Sequence, residues 1–141
     1  MLVHLTSNNK SLKGYKSFSD ILSFSRSVGD NEATSIICEN FLCNFNYSDL
    51  PKVIALIVKK MRLRCELIIS EKDFSLISRH IFKESVDIER LNHAIFNDMG
   101  TGIKSILTSE TIESMLNPYE LSTISKGFDE TIFTITLERL K

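Results

Sequence analysis

The chain has 141 residues, 43% apolar and 25% charged, a mixture suited to one folded domain (residues 1–141) with a real core. Its net charge of −1 argues against nonspecific nucleic-acid binding, which leaves a basic excess, and no apolar run approaches the ~18 residues that a membrane span needs. The 3 cysteines, Cys38, Cys43 and Cys65, lie in or beside apolar segments and read as small buried hydrophobes in a reducing compartment; there are no closely spaced Cys/His pairs of the kind a structural zinc site wants.

Met1 to Leu5 is too short for the apolar core of a signal peptide, so a cytoplasmic protein is expected. Leu2 to Leu5 reads as a first strand, followed by the polar turn Thr6-Ser7-Asn8-Asn9-Lys10 and a second turn at Lys13-Gly14-Tyr15. Residues 16 to 34 are ambiguous: Phe18, Ile21, Leu22 and Phe24 fit either a short strand or one helical turn, and Gly29-Asp30-Asn31 is a loop.

The stretch from Ser35 to Asp73 carries the clearest pattern. Ser35 to Asn40 is an apolar run with a polar end. Leu50, Val53, Ile54, Ile57 and Met61 recur at helical spacing behind Ser48 or Asp49 as cap, with Pro51 in the first turn. Leu67-Ile68-Ile69 is a second apolar run closed by Ser70 to Asp73. Two strands joined by one helix form a βαβ unit with parallel strands. Open parallel sheets bind ligands at their carboxyl ends, so Glu39 to Leu42 and Ser70 to Asp73 are the positions to watch. Lys59, Lys60, Arg62 and Arg64 read as a solvated helix end.

Farther on, Phe74, Ile77, Ile81 and Phe82 form one helical stripe, and Ile88, Leu91, Ile95, Phe96 and Met99 another, before the break at Gly100-Thr101-Gly102. Thr108 caps a short helix carrying Ile112, Met115 and Leu116, which Asn117-Pro118 ends. The remainder alternates with period two and reads as a hairpin, Leu121 to Ser125 and Thr131 to Leu137, around a turn at Lys126-Gly127-Phe128-Asp129. The sum is an α/β fold with a mostly parallel sheet of about five strands and an antiparallel C-terminal strand. His80 and His93 sit on separate helices with no carboxylate at metal-ligand spacing, and neither a Gly-x-Ser-x-Gly elbow nor a Walker loop is present.

The order of these elements and several strings resemble the class I S-adenosylmethionine-dependent methyltransferases, in particular small predicted methyltransferases of bacteria and phages. LTSNNKSLKGY (Leu5 to Tyr15) is similar to that family's LGCGNKxLPGY. DNEATSIICENFLCNF (Asp30 to Phe45) is similar to DNSVDEIYxSHVLEHF. Leu50 to Leu67 resembles LPKVLxEWxRVLKPGGKL, and LIISEKDF (Leu67 to Phe74) resembles LRISVPDF. Ile95 to Thr108 resembles IYGGQ followed by HKSxFT. The resemblance implies a reduced Rossmann-like methyltransferase sheet and S-adenosylmethionine as cofactor.

The same alignment marks departures. Thr6 and Asn8 stand where the family places glycines that let backbone approach the cofactor. The acidic residue that ends the family's second strand falls at about Ser19, with Asp20 beside it. Tyr15 to Asp30 is too short for a second strand, its helix and a third strand, so one sheet edge is expected to be reduced or absent. Leu63-Arg64-Cys65 replaces a Pro-Gly-Gly turn. The resemblance assigns cofactor contacts to Thr6, Ser7, Asn8 and Asn9, and places Glu39, Asn40 and Phe41 toward the methyl group and the acceptor. It names no catalytic side chain, and alignment alone does much of the work in this chemistry. Two readings stay open: a methyltransferase with a degenerate cofactor loop acting on an unidentified acceptor, or a non-catalytic methyltransferase-fold domain that binds a protein or self-associates through an exposed sheet edge.

Overall fold

A computed structural model of the chain describes residues 1–8, 10–84, 87–93 and 103–141. The strands are β1 Leu2–Thr6, β2 Lys16–Phe18, β3 Ala33–Glu39, β4 Met61–Lys72, β5 Leu121–Asp129 and β6 Ile132–Arg139. The helices among the described residues are α1 Ile21–Ser27, α2 Leu50–Lys60, α3 Phe74–Glu84, α4 Ile88–Asn92 and α5 Ser109–Leu116. One six-stranded sheet runs β2-β1-β3-β4-β6-β5; the pairs β1/β2, β1/β3 and β3/β4 are parallel, and β4/β6 and β5/β6 antiparallel. The fold is the mostly parallel α/β sheet with an antiparallel C-terminal pair that the sequence led to, with six strands in place of about five.

Period-two alternation decides which side of the sheet is core. Val3 and Leu5, Ile36 and Cys38, Leu67 and Ile69, and Phe133, Ile135 and Leu137 are buried and share one cluster. Against them pack Phe24 and Val28 from the α1 region, Leu50, Val53, Ile54 and Ile57 of α2, and Ile112 and Leu116 of α5. These three helices therefore cover one face. The alternate residues, among them His4, Ile37, Glu39, Ile68, Ser70, Thr134 and Thr136, lie on the other. On that second face the link from β1 to β2 brings the Tyr15 hydroxyl within 3.5 Å of Ser35 Oγ on β3.

Several expectations need correction. Residues 16–34 hold both alternatives, the short strand β2 and the helix α1, so the sheet edge next to β1 is reduced, one of the two outcomes expected, and not absent. The C-terminal turn lies at Glu130-Thr131, because β5 pairs with β6 as far as Asp129↔Ile132; Glu130 takes the left-handed turn at φ 51°. Leu63-Arg64-Cys65 is no turn. It lies inside the twelve-residue β4, where Arg64 at φ 68° absorbs the register shift opposite Ala33 and Ser35. Helix α2 starts behind a 3-10 turn, Tyr47–Asp49, and Asp49 makes no side-chain cap bond. The second helical stripe is described only as α4; its Ile95, Phe96 and Met99 lie outside the described residues.

The cysteines are free and buried, as expected. Burial pushes the Cys65 thiol up to about 11 and raises those of Cys38 and Cys43 further. The basic cluster is paired locally. Lys59 and Lys60 hold Asp30 at 3.2 and 2.9 Å, and Arg64 holds Glu138 at 2.6 Å. Arg139, on β6, donates to the carbonyls of Val58 (3.2 Å) and Met61 and to Asn31 Oδ1 (2.8 Å), satisfying carbonyls at the end of α2. Thr108 caps α5 by accepting the Thr111 amide at 3.2 Å. Thr108→Ala is expected to cost about 1 kcal/mol, read as a lower urea midpoint at unchanged slope.

Candidate functional site

From β1 the chain moves outward to β2 and then returns to β3 on the other side of β1. The strand order therefore reverses between β1 and β3, and the carboxyl ends of these two strands form the crevice where open α/β sheets take ligands. Thr6 pairs with Glu39 in register across it. Thr6, Ser7 and Asn8 on one side and Glu39, Asn40 and Phe41 on the other are thus brought together; Asn9 lies outside the described residues.

The polar groups here bond to one another. The Ser7 hydroxyl donates to the Asn40 carbonyl at 2.6 Å, straight across the crevice. The Asn44 side-chain amide donates to that same carbonyl at 3.0 Å and to the Phe41 carbonyl at 3.2 Å. A carbonyl oxygen has two lone pairs, so the Asn40 acceptor is filled. Thr6 is buried, and its Oγ1 accepts the Asn8 amide at 3.2 Å. Asn40 has a left-handed backbone, φ 47°, which asparagine tolerates better than most residues, and its N–H extends the ladder to Ser70 O at 3.0 Å. The ring of Phe41 is buried in the core edge-on to Phe45, with centroids 5.2 Å apart, so only its backbone lies at the strand end.

Two features escaped the sequence reading. Glu39 Oε2 lies 3.2 Å from Nε2 of the buried His4, whose Nδ1 lies 3.4 Å from Ser17 Oγ. The three side chains form a polar row over β2, β1 and β3. The second is Glu71, fully buried on the core face of β4. Its Oε1 accepts the amides of Phe41 (2.9 Å) and Leu42 (2.7 Å), while its Oε2 has no partner among the described residues. Burial pushes the Glu71 carboxyl up to about 7, against the Leu42 and Phe41 amides and the Cys43 thiol, whose hydrogen bonds pull it down. The alternation Leu67-Ile69-Glu71 points it inward and was the available signal; the family string carries Val at this place.

At the end of β2, Asp20 caps α1: its Oδ1 accepts the Ser23 amide and its Oδ2 the Ser23 hydroxyl, both at 2.8 Å. These bonds hold its carboxyl below the usual range. His80 Nε2 lies 3.2 Å from Glu130 O. Among the described residues no three His, Cys, Asp or Glu side chains gather as a metal site would, and no helix is long and apolar enough to cross a membrane.

No family model and no curated protein sequence matches the chain. Solved structures do. A SAM-dependent methyltransferase from Archaeoglobus fulgidus aligns at TM-score 0.57 and 12% identity, over 89% of this chain and 68% of that one. Magnesium protoporphyrin IX methyltransferase from Synechocystis PCC 6803, with bound SAH, gives 0.55 and 13%, over 89% and 50%. A putative type 11 methyltransferase from Sulfolobus solfataricus gives 0.55 and 12%, over 99% and 72%. The chain spans as little as 35% of another such structure, the CurJ carbon methyltransferase. At these identities the likeness is one of fold: the sheet, its order reversal and its antiparallel end make a Rossmann-like fold that these methyltransferase structures share.

Proposed function

We propose that this chain is a non-catalytic methyltransferase-fold domain whose crevice does not take S-adenosylmethionine. The observation that carries this reading is the Ser7–Asn40 bond. A ligand seated between β1 and β3 would have to break a 2.6 Å hydrogen bond and compete for a carbonyl already holding two donors. The remaining candidate contacts are committed in the same way. Thr6 Oγ1 serves Asn8, and the carboxylate nearest the ribose position, Asp20, is spent on α1. The donor set therefore does not fit the cofactor. The role left to the domain is binding through a free sheet edge, of which β5 is the longer, with Ile124 and Phe128 about half exposed along it.

Calorimetric titration with S-adenosylmethionine and S-adenosylhomocysteine tests the reading. The expected result is no heat and no thermal shift at millimolar ligand. Binding at one site per chain with micromolar affinity would overturn it and return Thr6, Ser7, Asn8 and Glu39 to the role of cofactor and acceptor contacts.

A further inference from the structure

We propose that Glu71 is a proton-dependent latch on the turn that follows β3: protonated, it keeps the Phe41 and Leu42 amides closed against β4, and ionised, it favours opening of that turn to solvent. The inference is independent of whether the crevice binds a cofactor.

The geometry supplies the latch. The turn is one of 3-10 helix, Leu42–Asn44, whose entry amides have no partner in the preceding chain. Both go to a single carboxyl oxygen from a neighbouring strand. The second oxygen is buried and unpartnered, which a neutral acid tolerates far better than an anion. The groups acting on this carboxyl are the thiols of Cys38 on β3 and Cys43 in the turn, and the carboxylate of Glu39 at the end of β3; no cation is among them. Across β6 the register partner is Phe133, which is uncharged. Of its neighbours in the chain, Lys72 reaches Thr131 Oγ1 on the opposite face at 3.0 Å, and Asp73 is held by the amides of Ser75, Leu76 and Ser109. An ionised Glu71 therefore gains most by meeting water, and the shortest route to water is to release the turn it holds.

The carboxyl ionises at about 7 when closed, against 4.5 when solvated. Opening is thus promoted as pH rises from about 4.5 to about 7, by roughly 300-fold in total, and is level above that. Amide hydrogen exchange of the whole chain, corrected for the intrinsic pH dependence, reads this directly. The expected result is that the Phe41 and Leu42 amides exchange faster than those of Leu5 and Ile135 at every pH, through an opening that low urea does not promote, and that their protection falls through that window. Glu71→Gln should remove the fall. Unchanging protection at Phe41 and Leu42 across the window, or exchange there that matches Leu5 and Ile135 in both rate and urea dependence, would overturn the latch. The wild-type measurement decides this even where the variant folds poorly.

Discussion

Asp73→Ala is expected to lower the unfolding free energy by about 4 kcal/mol. Asp73 is fully buried just past β4. Its Oδ1 accepts the amides of Ser75 (2.9 Å) and Leu76 (3.3 Å) and the Ser75 hydroxyl (2.5 Å), and its Oδ2 accepts the Ser109 amide at 3.1 Å. One carboxylate thus closes the N-termini of both α3 and α5, where helix dipoles favour negative charge. Alanine leaves the buried Ser109 amide without its acceptor and removes the cap from α3. Asp73→Asn keeps Oδ1 and turns the other position into a donor facing the Ser109 amide, so about half the loss is expected. Urea unfolding of the three proteins checks the order; equal midpoints would mean that water replaces the carboxylate at no cost.

The second large effect is on the pH dependence of stability. Folding raises the Glu71 carboxyl to about 7 from its ordinary 4.5, so the folded chain keeps a proton that the unfolded chain releases. The contribution of this group is complete below about 4.5, declines as pH rises through the window, and is gone above about 7. The decline is worth roughly 3 kcal/mol. Glu71→Gln does not titrate, so the stability difference between the two proteins should move by that amount in favour of the variant between pH 4.5 and 8. Parallel stability profiles would show that the Glu71 carboxyl ionises alike in both states.

Much of this fold was legible because its strands are patterned. The βαβ stretch, the cap at Thr108, Pro51 in the first turn of α2, and the period-two hairpin each follow from local sequence. The hairpin turn was misplaced because Gly127 and Asp129 are common turn residues, yet here they stay in the ladder and Glu130 carries the left-handed turn. The shortness of Tyr15 to Asp30 did read correctly as too little chain for a strand, its helix and a further strand: three and seven residues make β2 and α1, and β3 follows directly. The candidate site was legible in position only. That Ser7 would bond across to Asn40, or that Glu71 would hold a turn thirty residues before it, depends on pairings between distant strands, which no local pattern records.

The position of β6 has a consequence for synthesis. β4 lies in the middle of the sheet, yet its partner on one side begins at Ile132, which pairs with Lys72. At a translation rate of roughly 5–20 residues per second, the nascent chain presents β4 with one bare edge for about 3–12 s before β6 exists. Arg139, which closes the end of α2, arrives later still. The early half of the molecule therefore emerges with an unpaired strand edge, and the rate of synthesis between Asp73 and Thr131 sets how long that exposure lasts.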